Sequence, residues 1–187
     1  MRRNKNMKNK KSQKNYAYID AQNVYKTIKR LGWVIDWKRF FIYLKDKYQV
    51  AKTYFFIGYL PENRAFYQFL QETGYIIIFK PVVIGEKQET IKGNCDAELV
   101  LQAVNDKKKY DQALIISGDG DFHCLVEYLE KRNKLFKLGI PGRKSYSSLL
   151  RRFQKYFFFI EDQKKKLKKE RYPRKGQDPN RNLPYRN

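Results

Sequence analysis

Along residues 16–162, short apolar runs of strand length alternate with longer stretches whose apolar residues recur at helical spacing. YAYID (16–20) reads as a strand, and AQNVYKTIKRL after it as an amphipathic helix. Asp36 stands where an N-cap belongs, ahead of WKRFFIYLKDKY. KTYFFIGY (52–59) is a second strand; Pro61 opens the helix ENRAFYQFLQET, and Gly74 ends it. YIIIFKP is a third strand, and the polar stretch GEKQETIKGN (85–94) reads as a hairpin or a mobile loop. Asp96 then starts the helix AELVLQAVNDK, QALIIS is the fourth strand, and DFHCLVEYLEKR the helix after it. KLFKLGI gives a fifth strand, SYSSLLRRF a short helix and YFFFIED a last strand.

Strands apolar on both faces need cover on both faces. The pattern therefore predicts an α/β fold, with a mostly parallel, Rossmann-like central sheet and helices on either side. Right-handed crossovers and a reversal of strand order would leave one crevice at the carboxyl ends of the strands.

Charge divides the 187 residues differently. Of a net +22, most lies at the two ends: residues 1–15 hold seven Lys or Arg and no acid, and residues 163–187 hold ten against Glu170 and Asp178. Both segments are poor in apolar residues and are expected to be disordered basic tails around a core of 16–162. Basic arms suit polyanions, nucleic acid first. A solubilising role or an anionic membrane surface are the alternatives, the latter without an amphipathic stripe or lipidation motif to support it. No apolar segment follows the basic start, and no run is long enough to span a membrane. Cys95 and Cys124 are far apart, and with His123 as the single histidine they make a poor zinc set. They fit a reducing cytoplasm.

The chemistry gathers at expected strand ends. Asp20 ends the first strand, with Asn23 close behind; Ser117, Asp119 and Asp121 follow the fourth in ISGDGDF. Asp96 opens a helix between Lys92 and Glu98 in the stretch KGNCDAE. Gly118 and Gly120 permit a turn, Asp119 or Asp121 could cap the helix after it, and capping could likewise account for Asp96. Capping leaves Asp20, at the end of an apolar strand, unexplained. Two carboxylates about 4 Å apart at an effective dielectric of about 20 repel by roughly 4 kcal/mol. A bound cation reverses that sign. Oxygen donors without a thiolate or imidazole cluster favour Mg²⁺ or Mn²⁺, and a pair of such ions suits phosphodiester hydrolysis. One histidine excludes a two-histidine ribonuclease mechanism, and His123 itself reads as a packed helical residue.

YIDAQNVY, KGNCDAELVL and IISGDGDF, in this order and spacing, resemble the NYN-domain family, in its LabA-like branch of the PIN-like nucleases. The closing LGIPGRKSYSSLLRRFQKYFFFI is also similar to that family's final segment. The resemblance implies a PIN-like fold, Mg²⁺ or Mn²⁺ dependence and ribonuclease activity on single-stranded or structured RNA. It implies Asp20, Asp96 and Asp119 as metal ligands, directly or through water, and Asp121 as a further acid of the site. Asn23 and Ser117 would orient a water or a phosphate oxygen. Lys92 and Arg143 would touch the substrate backbone, or serve only as solvated loop charges. A non-catalytic RNA-binding adaptor that keeps the acids is the alternative function. Sugar-nucleotide transferases and phosphatases also use Asp pairs after a strand, but a phosphatase needs a second acid two residues beyond Asp20, where Gln22 stands. RNA against DNA and the oligomeric state, a homodimer included, stay open.

Overall fold

Asp36, the capping residue legible in the sequence, accepts the Arg39 backbone N–H at 3.0 Å and starts a helix that buries Trp37, Phe40, Leu44 and Tyr48. The other elements arise as directly from their apolar spacing. The computed structural model describes residues 14–80 and 95–170. In chain order its elements are β1 (Asn15–Asp20), α1 (Ala21–Arg30), α2 (Trp37–Tyr48), β2 (Val50–Gly58), α3 (Arg64–Thr73) and β3 (Ile76–Lys80). There follow α4 (Asp96–Asn105), β4 (Ala113–Ile116), α5 (His123–Glu130), β5 (Leu135–Ile140), β6 (Phe157–Phe159) and α6 (Lys164–Leu167). Short 3-10 turns include Gly120–Phe122 and Ser148–Tyr156, the latter kinked at Phe153.

The six strands form one sheet in the order β3-β2-β1-β4-β5-β6, and every pairing is parallel. The order reverses between β1 and β4, so the switch point lies beside Asp20 and Ser117. Alternate residues of each strand feed separate cores. Ala17, Ile19, Phe55, Ile57, Leu114 and Ile116 meet Val24, Ile28, Phe40, Leu44, Phe66 and Leu70 of α1, α2 and α3. Tyr16, Tyr18, Tyr54, Phe56, Ala113 and Ile115 meet Leu99, Ala103, Leu125 and Leu129 of α4 and α5. The fold class expected from the sequence is the one observed.

One boundary differs. Residues 163–170 do not begin a tail: Leu167 is buried among the α1 and α2 side chains, and the chain beside it pairs with Val34–Asp36. Asp36 N–H donates to the Leu167 carbonyl at 2.8 Å, and Lys169 N–H to that of Val34 at 2.9 Å. Five lysines around a single leucine hide that anchor from any average of composition. At the other end β1 already includes Asn15, whose side-chain amide donates to the Tyr48 carbonyl at 2.8 Å. The rest of both expected tails, the 85–94 loop and Lys92 lie outside the described residues. Among the described residues, no helix is long and apolar enough to cross a membrane.

Candidate active site

β1 passes into α1 with no residue between them, so Asp20 is at once the end of the strand and the N-cap of the helix. Its Oδ1 accepts the Asn23 backbone N–H at 3.1 Å, and its Oδ2 accepts the Ser117 hydroxyl at 2.9 Å. The second bond follows from register: Ile19 lies opposite Ile116, which sets Ser117 level with Asp20. Ser117 is buried, and its oxygen also accepts the Asp119 N–H at 3.1 Å. Asn23 Oδ1 accepts the Gly118 N–H at 2.9 Å. Asp119 Oδ1 in turn accepts the Asp121 N–H at 3.1 Å, capping the 3-10 turn that leads into α5.

Of the acids expected as caps, Asp119 is one and Asp96 and Asp121 are not; Asp20, which capping was not expected to explain, caps α1. Asp96 is the first residue inside α4, after Cys95 at the cap position, and Asp121 lies inside its 3-10 turn. At β1–α1 no residue separates strand from helix, so the last strand residue must also be the cap.

A second arrangement is superimposed on these caps. Asp96, Asp119 and Asp121 each bring one carboxylate oxygen within 4.8 Å of the others. Two chain segments far apart in sequence supply them. Asp20 is not in that group but stands beside it. Burial is the largest influence on its carboxyl, opposed by the bonds from Asn23 and Ser117 and aided by the Asp96 and Asp119 charges, and the net effect is a rise to about 6. The cluster is all oxygen, without sulfur or imidazole, and it is partly exposed. That donor set fits Mg²⁺ or Mn²⁺, which take carboxylates and keep several waters.

The loop after β5 holds this arrangement from outside. Ser147 N–H donates to the Gly118 carbonyl at 2.9 Å. A Cβ on Gly118 would stand 2.7 Å from the Ser145 carbonyl oxygen, and one on Gly120 would run into Ser147 Oγ. Both glycines are there for close approach. Arg143, expected at the substrate backbone, is engaged at the base of this loop: its Nε and Nη2 donate to Asp162 at 3.1 and 2.7 Å, and its N–H to Glu161 at 3.0 Å. Its guanidinium also lies 4.1 Å over the Phe159 ring. His123 is half-buried with its ring 6.1 Å from that of Phe153.

Two residues outside the expected set belong here. Glu98, in the first turn of α4, has a buried Oε2 with no hydrogen-bond donor among the described residues, 3.7 Å from Lys80 Nζ at the end of β3. The Cys95 thiol registers both: burial, with the Glu98 and Asp20 charges adding to it and Lys80 opposing, pushes it up to about 12 in all. Glu98, two residues after Asp96, was visible in the sequence. Lys80, at the end of an apolar strand, carried no comparable signal.

The profile of the NYN domain matches residues 16–161. The low amplitude and bright protein LabA of Synechococcus elongatus is 26% identical over 126 residues, which is 62% of this chain and 67% of that one. A crystal structure of a protein of unknown function from Vibrio parahaemolyticus superposes with a TM-score of 0.70 at 26% identity, covering 83% of this chain and 98% of that one.

Proposed function

The chain belongs to the NYN domain family, and on that premise we propose that it is a metal-dependent ribonuclease, hydrolysing RNA phosphodiester bonds at the carboxyl edge of its sheet. The observation that supports this most is the convergence of Asp96, Asp119 and Asp121, with Asp20 alongside, in a chain of net charge +22. A protein so rich in cations gains nothing for solubility by crowding acids in one crevice.

Asp96, Asp119 and Asp121 are the residues that would hold Mg²⁺ or Mn²⁺. Such an ion supplies Lewis-acid stabilisation of phosphoryl charge and a more acidic water. The chain's own contribution is placement. Ser117 ties Asp20 to the Asp119 backbone, and Asn23 ties α1 to Gly118, so acids from β1 and from the β4 loop keep one spacing. Ser117 and Asn23 thus act by holding carboxylates and backbone, and Arg143 by holding the covering loop. Positioning of this kind is worth orders of magnitude in rate when it is lost.

A non-catalytic RNA-binding adaptor is the second reading. What favours it is that Asp20 and Asp119 already have structural work as caps. Incubating the full chain with labelled single-stranded RNA, duplex RNA and DNA, with Mn²⁺ or with EDTA, separates the two. Cleavage of RNA with Mn²⁺ and none with EDTA is the expected result. Retained binding without cleavage in Mg²⁺ or Mn²⁺ would establish the adaptor instead.

A further inference from the structure

Because all six strands are parallel, every carboxyl end opens on the edge that carries the acids. On the β2–β3 side of Asp20 that edge presents aromatic rings. Tyr59, just past β2, and Phe79, near the end of β3, are each 37% exposed, with ring centroids 5.4 Å apart and planes at 86°, edge to face. Behind them stands Tyr67 of α3, buried, 4.7 Å from the Phe79 ring and 5.9 Å from that of Tyr59. Tyr67 is itself fixed: its hydroxyl donates to the Gly58 carbonyl at 3.3 Å and accepts the Leu60 N–H at 2.9 Å. The Tyr59 N–H donates to the Lys80 carbonyl at 3.1 Å, which locks the ends of β2 and β3 together.

We propose that Tyr59 and Phe79 form an aromatic corner for an unpaired nucleobase of the strand held at the acid cluster, the base stacking on one ring and meeting the other edge to face; this rests on the nuclease reading above.

The partner is inferred from four features. Half-exposed flat rings on a rigid backing bind π-faces with little loss of side-chain freedom. They share an edge with a phosphate-directed acid site, in a chain whose +22 charge draws polyanions. Strand spacing of about 4.8 Å places the platform about one to two strands, roughly 5–10 Å, to the side of Asp20. Finally, the same edge carries a cation. Phe79 shares its face of the sheet with Ile77 and turns towards α3, whereas Lys80 turns the other way and reaches Glu98 on α4, beside Asp96. A strand running from the rings to the acids crosses the edge past that ammonium group.

A duplex keeps its bases stacked on each other and offers no free face, so the subsite selects single strands. Stacking on an aromatic ring is worth about tenfold in affinity for each ring removed.

The test uses the full chain in EDTA, so that binding is read without cleavage. Trp33 and Trp37 are buried, at 4% and 1% exposure, so Phe79→Trp introduces one accessible indole. Its fluorescence should be quenched by a single-stranded oligouridylate and not by an abasic strand of equal length and charge. Tyr59→Ala and Phe79→Ala should each weaken oligouridylate binding about tenfold, and leave abasic-strand binding and the salt dependence unchanged. Equal quenching by both strands would overturn the proposal. So would folded alanine variants that bind oligouridylate like the parent chain, including any whose oligomeric state shifted, because the rings would then contact a second copy. Loss of cleavage in Mn²⁺ with stacking intact would count against the nuclease reading alone.

Discussion

Asp119 holds two posts with one carboxylate: it caps the turn into α5, and it faces Asp96 and Asp121. Asp119→Asn separates them, since an amide caps about as well as a carboxylate but brings no charge to an ion. The expected outcome is unchanged circular dichroism with cleavage lowered at least about a hundredfold. Full activity in that variant would return ISGDGDF to a turn. Ser117→Ala acts one bond further out. It removes a donor to Asp20 and an acceptor for the Asp119 N–H, at a cost of about 1–3 kcal/mol in denaturant unfolding. Metal affinity, read by calorimetry, should fall about ten- to a hundredfold. Asp106 is the contrasting case, a buried acid with no part in the cluster. Burial raises its pKa, but bonds from Lys109, Gln102 and Tyr54 outweigh that, and the net shift is downward. A depressed carboxyl gives stability that is complete above the unfolded value and lost as pH falls through the folded one. Asp106→Ala should therefore lose about 1–3 kcal/mol at pH 7, and the gap to the parent should narrow below about pH 4. A gap independent of pH would show that lost packing, not the charge, was the cause.

At the scale of elements, the strands and helices were legible wherever apolar periodicity was strong, as in YAYID, WKRFFIYLKDKY and ALII, which became β1, α2 and β4. Legibility failed where one residue carries an element. Leu167 fastens α6 across α2 from within a lysine run, and the run dominates any window average. Leu167→Ala should cost about 2–5 kcal/mol by thermal or denaturant unfolding. Ending the chain at residue 162 should destabilise by at least as much, while ending it at 170 should leave the melting temperature near that of the parent. Equal stability at both ends would mean that the α6 contacts are incidental. The acid loop shows the same limit from another side. Asp20 took a capping post because β1 passes directly into α1, a property of junction length that residue type does not reveal; Asp119 caps from the third residue after β4.

For the whole molecule, charge and metal pull in opposite senses. The acid cluster repels itself when empty, so millimolar Mg²⁺ or Mn²⁺ should raise the melting temperature, and less in Asp119→Asn. No shift in the parent chain would remove the metal from the proposed mechanism. RNA affinity should fall steeply with salt, because phosphate contacts release counterions. Deleting the basic ends should flatten that dependence, while cleavage of a short substrate should persist in residues 15–170; an unchanged salt slope in the shortened chain would leave the ends as solubilisers.

By itself the sequence determined the α/β class, the element order, the switch-point crevice and the identity of the acids, because these follow from local periodicity and from which residue types the motifs place at strand ends. Tertiary structure decided the grouping. That Asp121 joins Asp96 and Asp119 while Asp20 is held by Ser117 and Asn23 depends on β1 lying beside β4 in one register, and on a β1–α1 junction without slack. That Lys80 reaches Glu98, and that Tyr59, Tyr67 and Phe79 form one platform, depends on β2 and β3 ending level with each other. Pairing across a sheet joins residues tens of positions apart, and no window of sequence records which strand will lie next to which.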